Sequence, residues 1–221
     1  SRTTNNPNTE YYYTPEENFR IGYQTSGSDA PSQYDGDNSG VPDYIEDMGQ
    51  YFEDALVFQV DTLGFNNPLD FTTASQFVVT VENLAGVYGY VPGNSYHQIW
   101  MDNSLSVRFN KLTSAHELHH LSQHSYTVGS SWYKECTSMW VEEAMYDDLD
   151  GYNGYEQAFQ QNPPWSLDYF QSGGLYQYGS VIWNLYIEQN YGRDAIRTIW
   201  EKPYGSATTA ANSFFNDQSS S

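Results

Sequence analysis

The stretch TSAHELHHLSQH, Thr113–His124, holds four of the chain's five histidines. His116 and His120 stand four residues apart, so a helix through them sets both imidazoles on one face, about a turn apart. Glu117 follows His116 directly and completes the pattern H-E-x-x-H. In that pattern two neutral imidazoles hold zinc while the carboxylate acts on the water beside it. His124 continues the same row, and His119 falls outside it. A competing reading takes Ser114-x-x-Glu117 as a capping box, which would make Glu117 a helix-start residue. The two readings part at the next segment, because a zinc site needs a third ligand within reach.

After a break at Thr127–Ser131 the sequence WYKECTSMWVEEAMYDDL (132–149) has the length and periodicity of a second helix. If the two helices run antiparallel, the positions opposite His116–His120 fall at about 137–141. Glu135 and Glu142 bracket that window, seven apart and therefore on one face. Glu143 is turned by about 100° from Glu142 and is less well aimed. Met139 and Trp140 intervene, and carboxylates set among apolar neighbours opposite two histidines suit ligands better than a solvated face.

This pair of segments resembles the gluzincin metallopeptidases, in which the HExxH helix is followed by a helix carrying W-x-x-E-G-x-A-x-x-x-E. The resemblance implies a zincin-like fold and peptide-bond hydrolysis. It assigns the third zinc ligand to Glu135 and the support of a zinc-bound histidine to Glu142. Cys136 and Ser138 replace the usual Gly and Ala, and only 14 residues separate His120 from Glu135. The choice between Glu135 and Glu142 stays open for that reason, with Glu143…Asp147 as a third possibility. YQYGSVIWNLYIEQNYGRDAIRTIWE (176–201) is similar to the aminopeptidase-branch segment beginning Y-x-x-G. By that similarity Tyr176, with Tyr178 as the alternative, donates to the oxyanion. The whole chain also looks like a group of secreted bacterial proteins classed with the metallopeptidases.

DGDNSGVPDYIE (35–46) fits a twelve-residue calcium loop position by position. Asp35, Asp37 and Ser39 take the first three ligand positions and Gly40 the sharp turn. The Val41 carbonyl, Asp43 and Glu46 complete the set. No helix is legible before the loop, so a lone structural staple is expected rather than a paired sensor.

The remaining sequence sets bounds. A net charge of −20 with only 8 Lys and Arg excludes nucleic acid and anionic membrane as partners. One cysteine, Cys136, excludes an internal disulfide and a thiolate cage. No apolar run reaches the length of a membrane span. The chain opens at Ser1 with no Met and no leader, and is expected to be the mature part of an exported, extracellular and monomeric protein. Strands are expected at 18–25, 76–83 and 96–103, and helices at 44–63, 111–126, 132–149, 177–190 and 193–201. Residues 1–15 read as a surface arm, 85–95 as a Gly-rich connection, 151–166 as a loop and the last 16 or so as poorly ordered. Strands early and helices late give an α+β chain read as a single catalytic domain. Its N-terminal sheet lobe spans about 16–126, its helical lobe about 127–205 and its tail 206–221.

The function expected is a zinc-dependent endopeptidase acting on protein or peptide, with a metal-activated water and Glu117 as general base. An aminopeptidase is the first alternative, although it needs an acidic pair for the substrate's free amine and only WMDN (100–103) faintly echoes one. A peptidase of glycosylated proteins is the second, and a calcium-stapled adhesion or binding module without catalysis the third. The strand at 96–103 is expected to be the edge that pairs with substrate, by analogy with other zincins.

Overall fold

The computed structural model describes residues 8–220. It is α+β, with one small mixed sheet and a mainly helical remainder. Two compact units divide the chain, one from residues up to Val57 with Asn67–Leu121, the other from Phe58–Asn66 with Ser122–Ser221.

The first unit is built on a five-stranded sheet in the order β1-β2-β3-β5-β4. The strands are β1 (Thr9–Tyr13), β2 (Phe19–Gln24), β3 (Phe77–Glu82), β4 (Gly89–Tyr90) and β5 (Gln98–Asp102). β1 and β4 pair antiparallel with their neighbours, while β2–β3 and β3–β5 are parallel. Strict alternation explains the central strands. Phe19, Ile21 and Tyr23, then Phe77, Val79 and Val81, are buried, and the residues between them are only partly covered. Helix α1 (Asp43–Val57) carries the crossover from β2 to β3 and turns Ile45, Met48, Phe52, Ala55 and Leu56 inward. The Phe19 ring stacks on Phe52 at 5.2 Å and on Phe77 at 4.8 Å, so helix and sheet meet through aromatic rings. Burying each such side chain contributes about 1.5–3 kcal/mol.

Helix α2 (Val107–Gln123) leaves β5 through a tight loop and runs continuously from the first unit into the last residues that begin the second. Its start is four residues earlier than the periodicity predicts. Ser106 accepts the amides of Phe109 and Asn110 there, through its hydroxyl and its carbonyl respectively, as a cap residue does.

The second unit is helical: α3 (Ser131–Met145), α4 (Glu156–Gln160), α5 (Tyr176–Gly179), α6 (Val181–Tyr191), α7 (Asp194–Trp200) and α8 (Ala207–Ser219). α3 is its axis. The Trp140 indole donates to Glu188 at 2.7 Å, the Trp200 indole to the Thr137 hydroxyl at 3.2 Å, and the Tyr133 ring stacks on Trp200 at 5.1 Å. Within this unit the last turn of α2 is tied to α3, because the Gln123 amide donates to the Lys134 carbonyl at 2.9 Å and to the Ser138 hydroxyl at 3.3 Å.

Five expectations change. The arm expected at 1–15 lies partly outside the described residues, and from Thr9 it is strand β1. The loop expected at 151–166 contains α4, and the tail is helix α8 with Ala207, Ala210, Ala211 and Phe214 buried. The Gly-rich connection at 85–95 contains β4. The predicted edge strand at 96–103 is therefore an interior strand, since β5 lies between β3 and β4. The edge is β4.

Candidate metal centre

From Leu112 to Gln123 helix α2 is buried at every position but His120, and much of what it buries is polar. Thr113, Ser114, His116, Glu117, His119, Ser122 and Gln123 all lie inside. A core helix gains nothing from such residues, since each polar group must regain in hydrogen bonds what it loses in water. Titratable groups concentrated in this way mark a working site more often than a structural one. His119 illustrates the cost: burial first, and then the charges of His120 and His116, hold its imidazole well below the usual histidine range.

Ser114 stands seven residues inside the helix, fully buried, so it caps nothing and the capping-box reading of Glu117 falls. The imidazole rings of His116 and His120 lie 4.8 Å apart at 81°. His116 and His120 each offer a donor nitrogen, and the two atoms lie within 4.8 Å of one another; Glu135 stands on α3 of the second unit. Glu142 and Glu143 lie buried on the same helix α3, on which Glu135 is half-buried. Glu117, only 5% exposed, sits between the two histidines in the sequence of the same helix.

A feature that the sequence reading missed lies against Glu117. Gly89 of β4 is so close to α2 that a Cβ there would stand 2.8 Å from Glu117 Cγ and 2.9 Å from Thr113 Cγ2. The edge of the sheet thus passes directly over the carboxylate. An isolated glycine in a short extended run, Val87-Tyr88-Gly89-Tyr90, was the available signal for such an approach.

Tyr176 needs correction as the oxyanion donor. It is almost fully buried, and its hydroxyl donates to the carbonyls of Trp165 and Ser166 at 3.2 and 3.1 Å. Its ring packs among Phe159, Trp165 and Tyr169. This tyrosine fastens the loop before α5. Tyr178 packs against Tyr155 in the same unit, ring to ring at 5.7 Å and a tilt of 43°.

Glu143 is set against Asp147 instead of the histidines. Burial, then the charges of Asp147 and Asp150, push its carboxyl up to about 7. The folded state binds this proton more tightly than the unfolded chain does. The stability it contributes is therefore complete below the ordinary value of 4.5 and is lost as pH rises through about 7. The unfolding midpoint is expected to fall between about pH 5 and pH 8, and to fall less steeply in Glu143→Gln. Thermal scans across that range check it, and parallel slopes in the two proteins would refute it.

The acidic loop is brought together in part. Asp35, Asp37 and Asp43 offer carboxylate oxygens within 4.8 Å of one another, and the Glu46 carboxylate does not join them; the Ser39 hydroxyl donates to the Val41 carbonyl at 3.3 Å within the same loop. Gly40 adopts the left-handed conformation expected of the sharp turn, with φ of 91°. The amides of Ser39 and Gly40 donate to Asp35, and that of Gly36 to Asp43. The Ser39 amide also holds the Asp37 carboxyl below the usual carboxylate range.

Residues 3–211 match a family described as Family of unknown function (DUF6055). The chain belongs to that family. No curated protein and no solved structure matches it. Membership therefore fixes kinship and leaves chemistry to the site. Among the described residues no helix is long and apolar enough to cross a membrane.

Proposed function

We propose that this member of the family is a zinc-dependent peptide hydrolase of the gluzincin type with a zincin-like fold. The observation that carries the reading is the buried turn of α2 in which His116 and His120 bring two donor nitrogens within 4.8 Å with Glu117 between them in sequence; Glu135 is the proposed third ligand. The donor set suits zinc, which takes nitrogen and carboxylate oxygen at a three-residue catalytic site. When bound, zinc supplies Lewis acidity toward a carbonyl and makes water acidic near neutral pH.

The chain's own residues supply the rest. Glu117 takes the proton of the attacking water and delivers it to the leaving amine, so that neither hydroxide nor amide anion has to form freely in solution. Its burial keeps it short of competing water, and the helix holds it at a constant distance from His116 and His120. β4 has a free side, and a substrate strand added there would pass over Glu117. A hydroxyl for the oxyanion is left unassigned, since Tyr176 is engaged elsewhere. Asp35, Asp37 and Asp43 are assigned to calcium, as a staple at the start of α1. Extracellular location, and a protein or peptide as the partner, belong to the same proposal.

Metal analysis of the purified protein tests the reading, together with cleavage of an unfolded protein and of N-blocked peptides. About one zinc per chain is expected, with calcium bound separately. Cleavage is expected to stop with a zinc chelator and return on adding zinc. Cleavage confined to peptides with a free amine would make it an aminopeptidase. Protein without zinc would leave the calcium-stapled binding module.

A further inference from the structure

We infer that the cavity at the start of β4 receives one large apolar side chain of the substrate and decides where the chain is cut; the inference rests on the hydrolase reading above. The cavity measures about 210 Å³ and lies wholly in the first unit, with Val87, Tyr88, Leu105, Ser106 and Phe109 on its walls. That volume is on the scale of one bulky side chain and well short of a folded partner.

Its chemistry follows from what the walls offer. The rings of Tyr88 and Phe109 lie 4.7 Å apart, and Leu105 stands near them on the approach to α2. Val87 and Tyr88 are 52% and 42% exposed, so apolar surface is held open to water around a concavity rather than folded away. One acid lines the cavity, Asp102, and it is already occupied. Its Oδ2 accepts the Leu84 amide at 2.9 Å, and its Oδ1 accepts the Ser104 amide and hydroxyl at 3.0 and 2.6 Å. The remaining lining, Asn83, Gly86, Ser104 and Ser106, is uncharged. The neutral donors occupy the Asp102 oxygens without cancelling its charge, so the pocket tolerates a cationic side chain, while its ring and aliphatic walls reward apolar ones.

Position links the pocket to the site. Tyr88 immediately precedes Gly89, the residue whose backbone lies over Glu117. An extended chain advances about 3.3 Å per residue, which sets the pocket within about three residues of the bond presented to Glu117. An extended peptide on the edge of β4 sends alternate side chains to one face, and one of them meets this cavity.

The test compares the zinc-loaded wild-type protein with Val87→Asp and Val87→Arg, both at a position 52% exposed. A mixed peptide library should show wild-type cuts enriched for Leu, Met, Phe or Tyr at one position within about three residues of the bond. Each variant should lose that enrichment while its unfolding midpoint stays in place. On a peptide pair differing only as Phe or Ala at that position, the wild-type preference of about tenfold should vanish. The same pair, fluorescently labelled and bound to zinc-loaded Glu117→Gln protein, should show the preference in affinity without turnover. Normal cleavage with an unchanged profile in both variants would overturn the pocket and spare the hydrolase. A wild-type protein that neither holds zinc nor cleaves overturns both.

Discussion

Glu117→Gln is expected to lower turnover by about 10²–10⁴-fold while zinc content stays at the wild-type level. The substitution keeps size and shape and removes only the capacity to take a proton at neutral pH. Glu117 lies outside the proposed ligand set of His116, His120 and Glu135, so its loss should leave the metal in place. The fall should appear in kcat, with KM little changed, because the lost interaction acts on the reacting water and not on the resting peptide. His120→Ala is the informative partner: removing one imidazole from the group should lose zinc and turnover together. Steady-state kinetics and metal analysis on the two proteins decide it. A zinc-loaded Glu117→Gln protein with near-normal turnover would remove Glu117 from the chemistry, whatever became of the metal.

The parts of this architecture that were legible in the sequence are those whose signal repeats. β2, β3 and β5 show alternation over five or six residues, and α1 shows an apolar stripe from Ile45 to Leu56. The histidine pair was legible for the same reason, since a spacing of four on a helix is a statement about one face. Glu135 and Glu142 came together from the assumption that α3 folds back along α2, and the choice of Glu135 from the gluzincin resemblance; the Gln123 bonds to Lys134 and Ser138 tie the last turn of α2 to α3. Elements without a repeat escaped. β4 is two residues long and cannot alternate, so nothing but its glycine announced it. α8 was hidden by composition, although Ala207, Ala210, Ala211 and Phe214 keep a helical spacing with small residues in place of large ones. The role of Tyr176 was beyond reach because it depends on where the backbone of Trp165 and Ser166 passes, and a loop's path is not encoded in any local period.

Gly89→Val should damage catalysis without touching any metal donor, and that separation makes it the sharper probe of the edge strand. A side chain at this position meets three obstacles at once: Glu117 Cγ at 2.8 Å, Thr113 Cγ2 at 2.9 Å and the Trp100 carbonyl at 3.1 Å. None is the free end of a flexible chain. Trp100 lies on β5 opposite Tyr90, so its carbonyl retreats only if the β4–β5 pairing opens. Thr113 and Glu117 are one turn apart on a buried helix. The strand must therefore lift, or Glu117 must turn away, and either shift is on the order of an ångström. Overpacking of this kind costs about 1–3 kcal/mol of stability. A base misplaced by about 1 Å costs roughly 10²-fold in rate. The expected outcome is a folded protein with a lowered unfolding midpoint, a full complement of zinc and about 10²-fold less kcat. Gly205→Ala, where no atom lies within 4 Å of the added carbon, serves as the neutral control. If Gly89→Val instead cleaves at the wild-type rate, β4 is a bystander to Glu117, and the substrate must approach from a side of α2 that the sheet does not border.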